Sequence, residues 1–157
     1  MKIFNRFFMT LGLFLSSIIP PPLTPSPAHA QLRVGAQVGS ATGLSAQLDL
    51  SALDALNLSL AYDLRAGWAL ASADYRRLSL LLSGGRGRGG RVGLYWGAGV
   101  AAGGRRASFV SARLPLGLEA QPAGWRLQLF VEVAPTLAVL PATDLGVMGA
   151  IGARWTL

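Results

Sequence analysis

The stretch Gly124-Trp-Arg-Leu-Gln-Leu-Phe-Val-Glu-Val-Ala-Pro135 decides the fold. Leu127, Leu129, Val131 and Val133 share one parity, and Arg126, Gln128 and Glu132 share the other. Side chains alternate across a strand, so this is a strand with an apolar face and a polar face. A water-soluble barrel turns the leucines inward; a membrane barrel turns them outward.

The same alternation repeats along the chain, divided by Gly, Pro, Ser and Asp turns. Strand segments are expected at 31–39, 44–50, 55–64, 68–82, 92–102, 108–120, 125–140 and 145–157, with tight turns at 40–43, 51–54, 103–107 and 141–144. Segment 68–82 alternates up to Tyr75; "RRLSLLLS" then breaks the pattern and suggests a bulge or slipped register. Strict period two argues against helix in the Leu- and Ala-rich 44–64 region. Eight segments of this length suit an even-stranded, antiparallel up-and-down transmembrane β-barrel, whose strands need about 9–11 residues.

The polar parity favours the leucines-out arrangement. It reads Gly93, Gly97, Gly99, Ala101 in one segment and Gly146, Met148, Ala150, Gly152, Arg154 in another. Small residues fit the narrow interior of an eight-stranded barrel, whereas a soluble surface is rich in charge. Only 13% of the chain is charged. The few strand charges also fall on this parity: Arg33, Asp49, Asp63, Asp74, Arg113, Glu119, Glu132 and Arg154. Isolated buried charges are costly, so these are expected to form a lumen network of Arg–carboxylate pairs. Tyr62, Trp68 and Phe109 are expected near one membrane boundary, and Trp125 and Trp155 near the other with Trp96 less far out.

The first thirty residues have the pattern of an export signal: basic Lys2 and Arg6, an apolar run Phe7–Ile19, and Ala28-His29-Ala30 as cleavage motif. The run is short for a spanning helix and the prolines at 20–22, 25 and 27 would stop one. The domains are then 1–30, a signal peptide, and 31–157, an outer-membrane barrel. The barrel part carries twelve arginines against seven acidic residues. Export argues against nucleic acid as the counter-charge and for anionic lipid head groups.

No Cys occurs, and His29, the one histidine, lies in the signal. The barrel therefore lacks the usual general base beside its serines and the usual ligands of zinc, so neither an enzyme nor a metal or other cofactor is expected. "GGRGRGG" (84–90) is neither a phosphate loop nor a dinucleotide turn, and reads as a solvated connection. The outer turns are all short, which weakens an adhesin reading.

"ARLPLGLEAQP" (112–122), "LFVEVAPTLAVLP" (129–141), "GAIGARW" (149–155) and "LYWGAGV" (94–100) resemble a family of small eight-stranded barrels of the outer membrane protein A type, in an uncharacterised branch. The likeness covers the second half of the chain well and the first half loosely. It implies a barrel inserted by the outer-membrane assembly machinery, a monomer, and no known activity. Such barrels usually end in an aromatic residue; this chain ends Trp155-Thr156-Leu157, a departure from the usual assembly signal. The expected function is an outer-membrane barrel with a structural or undefined envelope role and a side-chain-filled lumen. The alternatives are a soluble periplasmic, lipocalin-like barrel with its leucines around an apolar ligand, and a small pore.

Overall fold

The structure, a computed structural model, describes residues 30–64, 67–83, 90–104 and 108–157. The export-signal segment, save Ala30, and most of the basic 84–90 connection lie outside the described residues.

Nine strands form one antiparallel sheet: β1 (Leu32–Gly39), β2 (Thr42–Asp49), β3 (Asp54–Asp63), β4 (Trp68–Ser83), β5 (Arg91–Gly104), β6 (Ser108–Arg113), β7 (Leu116–Gln121), β8 (Leu127–Leu140) and β9 (Asp144–Thr156). The expected single segment 108–120 is divided because Pro115 lacks an N–H and cannot donate to the ladder. Its carbonyl still accepts from Gly97 N at 2.8 Å, and β6 and β7 lie end to end between β5 and β8. They act as one wall position, so nine elements make a ring of eight. The first turn is shorter than expected: β2 begins at Thr42, leaving only Ser40 and Ala41 between the strands.

The ring closes without an open seam. A walk along paired residues runs from Leu127 through Trp155, Val34, Ala46, Leu58, Ala73, Val100 and Ala112, and returns to β8 at Leu137. The return is displaced by ten residues, since 137 exceeds 127 by that number. With ordinary strand spacing and rise, a stagger of ten over eight strands sets a tilt of about 41°. An even displacement also keeps each parity on its own side all the way round.

Leucine and valine face out. Val131 is 45% exposed and its neighbour Glu132 5%. Leu129, Val133, Leu58, Leu60, Leu116, Leu118 and Ile151 are likewise exposed. The soluble-barrel alternative required these side chains in the centre, and the fold places them on the outer wall.

The irregular segment is now resolved. β4 alternates regularly down to Leu78, then shifts register against β5 between Leu78 and Leu80. The extra residue, Ser79, flips the parity, so Leu81 opposite Gly93 falls on the inner side and Leu80 opposite Leu94 on the outer.

Candidate functional site

The inward residues of β4 measure the lumen from one end to the other: Trp68, Leu70, Ser72, Asp74, Arg76, Leu78. The end that holds Trp68 is capped by an apolar cluster of Ala41, Ala61, Leu70 and Ala101, against which Trp68, Phe109 and Met148 pack. Trp68 and Phe109 meet edge to face with centroids 5.2 Å apart. This corrects the expectation that both sit at a membrane boundary. Trp68 pairs with inward Asp63, and Phe109 has the parity of buried Ser111 and Arg113, so both rings point into the lumen. Tyr62, Trp96, Trp125 and Trp155 are exposed.

Below the cap, the Ser59 and Ser72 hydroxyls bond at 2.7 Å. Next comes a buried ion cluster. Arg113 Nη2 bonds Glu132 Oε1, and Arg113 Nε lies 3.2 Å from Asp74 Oδ1 without hydrogen-bond alignment. Tyr95 donates its phenol to Glu132 Oε2 at 2.9 Å. Glycine permits this approach: a Cβ on Gly117 would lie 2.4 Å from the Tyr95 ring, and one on Gly99 2.1 Å from Asp74 Oδ1.

The next level holds two stacked arginines. The Arg154 guanidinium donates to Ser45, Gln47 and Asn57 at 2.8–2.9 Å and covers the Phe130 ring. Arg76 donates to Gln47 Oε1 at 2.6 Å and Glu119 Oε2 at 2.7 Å, with its guanidinium 3.4 Å above the Tyr95 ring. At the end near the chain termini Arg33 pairs with Asp49 at 2.7 Å.

The structure gives partners to the charges that the sequence places on the inner parity. Arg113 meets Glu132, whereas Glu119 pairs with Arg76 and Arg154 contacts neutral oxygens rather than a carboxylate. Asp63 lies at the far, Trp68 end of β3, away from Arg33. Arg76 and Tyr95 escaped the sequence reading. Arg76 opens the segment that breaks alternation, yet extending the parity of Ser72 and Asp74 by one step finds it. Tyr95 shares the parity of Gly93 and Gly97 and was hidden among glycines.

The ion cluster has no nucleophile–base pair. Serine, glutamine and asparagine oxygens serve here as acceptors for arginine, and the arrangement cross-links strands along the inner wall. Among the described residues no group of three or more acidic residues stands close enough to hold a metal ion.

Between the Arg76 level and the chain termini the lumen widens into a vestibule of about 760 Å³, open at that end. Its wall includes Arg33, Asp49, Glu119, Gln121 and Gln128.

The barrel is similar to the crystal structure of the N-terminal β-barrel domain of Pseudomonas aeruginosa OprF, with a TM-score of 0.57 and 15% identity over 82% of this chain and 96% of that domain. The fold is that of the eight-stranded outer membrane protein A-like barrel. No protein-family model matches the sequence, and no curated protein matches it.

Proposed function

We propose that the protein is an integral barrel of the bacterial outer membrane with a structural role in the cell envelope. One observation carries this reading: the outward parity of the wall is aliphatic while the inward parity holds the buried arginines, glutamate and aspartate. From Leu127 to Leu137 the wall rises about 25 Å at the stated tilt, the height of the apolar band of such barrels. The fold likeness to the OprF domain supports the same reading. The end near the chain termini is then periplasmic, with exposed Trp125 and Trp155 toward that boundary and Tyr62 toward the outer one. The exposed Arg126 lies in a periplasmic turn, in reach of anionic head groups.

The lumen favours a closed barrel over a pore, because Arg113, Glu132, Arg76, Tyr95 and Arg154 fill it in succession. A monomer delivered by the assembly machinery, with no catalytic role, fits this picture.

The test is fractionation of cells expressing the full chain. The protein should stay with membranes through a carbonate wash and migrate faster on gels before boiling than after. Recovery of the folded chain as a water-soluble monomer would refute the proposal.

A further inference from the structure

The vestibule is not uniformly polar. The bulge at Ser79 turns Leu81 inward beside Leu78, so two leucines line the chamber beside its Arg, Gln and carboxylate groups. Leu53, in the turn before β3, lines the same cavity, as does Tyr75, whose parity faces outward. The cavity therefore reaches from the lumen to the rim at the turn before β3.

The topology explains this opening. The β3–β4 ladder ends at Asp54 opposite Arg77, and the last bond across the seam is Leu78 N to Leu53 O at 2.8 Å. β4 runs on to Ser83 with β5 as its ladder partner. Beyond that bond β4 projects past β3, and the 50–53 turn and the end of β4 carry exposed leucines: Leu50, Leu53, Leu80 and Leu81.

Charge completes the pattern. The carboxylates of the cavity wall are already engaged: Asp49 with Arg33, Glu119 with Arg76, and Asp54 with Arg77, Tyr75 and Ser51. Arg91 also lines the cavity, at its mouth, and has no carboxylate partner among the described residues. It stands on β5 two residues before Gly93, which faces Leu81. Gly93 gives Leu78 room to lie on the floor, since a Cβ there would lie 2.5 Å from Leu78 Cδ1. An uncommitted cation at the mouth, an aliphatic floor at Leu78 and Leu81 and a rim of exposed leucines together match a molecule with an anionic head and a hydrocarbon chain.

We propose that the vestibule binds a phospholipid of the periplasmic leaflet, its phosphate on Arg91 and an acyl chain passing between Leu53 and Leu81. This rests on the membrane reading above. Both halves of the ligand are needed: the phosphate satisfies Arg91, and the chain covers leucines that would otherwise meet water or polar neighbours.

The full chain, folded in dodecyl maltoside, is titrated with palmitoyl lysophosphatidylethanolamine and followed by native mass spectrometry. One retained lipid per barrel is expected at saturation. Arg91→Gln, at the exposed rim where folding is little affected, should weaken binding about tenfold, the loss of one charge-assisted hydrogen bond. Gly93→Leu, which fills the floor, should weaken it at least as much. Glycerophosphoethanolamine without a chain and monopalmitoylglycerol without a phosphate should each bind more weakly than the lysolipid.

Equal retention by wild type and both variants would overturn the proposal, as would equal binding of the chainless head group or the appearance of dimers in place of lipid adducts. The carbonate wash separates the two readings. A barrel that inserts but holds lipid indifferently to both variants refutes this site alone, and a water-soluble barrel refutes the site and the membrane reading together.

Discussion

The Arg154 guanidinium carbon lies 3.8 Å over the Phe130 ring. Its three nitrogens are shared among Ser45, Gln47 and Asn57, which lie on β2 and β3, two and three strands along the wall from β9. A buried arginine is thus held by neutral oxygens and a ring face, and it ties β9 past β1 to β2 and β3. The planar fork of arginine suits this, because its donors are fixed in one plane and its face is free to stack.

Arg154→Ala should therefore be strongly destabilising. It removes the stacking and leaves three interior acceptors short of a donor, a cost of about 3 kcal/mol or more. Arg154→Lys should recover only part of this, since one ammonium cannot reproduce the fork. Urea unfolding of the barrel in lipid vesicles measures both. A wild-type midpoint for Arg154→Ala would show that the bonds contribute nothing.

The Arg113 cluster should respond asymmetrically to loss of its accepting carboxylate and of its donating phenol. Glu132→Leu removes the carboxylate that takes bonds from both Arg113 and Tyr95, leaving the buried Arg113 with only the poorly aligned Asp74 at a cost of about 3 kcal/mol. Tyr95→Phe removes one neutral donor and should cost about 1 kcal/mol. In a double-mutant cycle the two should couple, because the phenol has no role once Glu132 is gone. Strict additivity would place Tyr95 outside the cluster.

How far this interior was readable in the sequence differs from strand to strand. Glu132 and Arg113 were placed inside by parity alone, because β6 and β8 alternate without interruption where they lie. Pairing was not readable to the same depth. Parity tells which face a side chain takes, but the registers of β1 on β9 and β2, and of β2 on β3, decide which inward groups share a level, and so Arg154 lies by Ser45 and Asn57 and not a glutamate. Trp68 and Phe109 were misplaced because ring chemistry was weighed above parity; the neighbours Leu70 and Ser111 already assign both to the interior. The bulge at Ser79 was sensed as a broken pattern, but its consequence, an inward Leu81, depends on which strand residue is left unpaired and needs the β5 register.

The outer wall should reject charge according to depth. Val131→Arg, near the middle of the aliphatic band, should lower stability in vesicles by about 2–4 kcal/mol, whereas Leu140→Arg at the far end of β8 should cost about 0–1 kcal/mol. Both residues are exposed, so a soluble barrel would tolerate the two changes alike. Refolding yields into vesicles, read from the unboiled gel band, distinguish the cases; equal tolerance would contradict a lipid-facing wall.

Gly117→Ala tests whether the glycines of the inner wall are spaces reserved for particular side chains. An added methyl would meet the Tyr95 ring at 2.4 Å and the Val131 carbonyl oxygen at 2.5 Å. Tyr95 is pinned from three directions, by Glu132 at its hydroxyl, by Arg76 on its face and by its own strand, so it has little room to yield. The substitution should cost about 1–3 kcal/mol as overpacking. The variant Gly117→Ala/Tyr95→Leu, which shortens the intruding side chain, should recover part of that loss while forfeiting the phenol's hydrogen bond. Comparing the three unfolding midpoints separates steric conflict from strand propensity: if shortening Tyr95 brings no recovery, the glycine is not there to admit the ring.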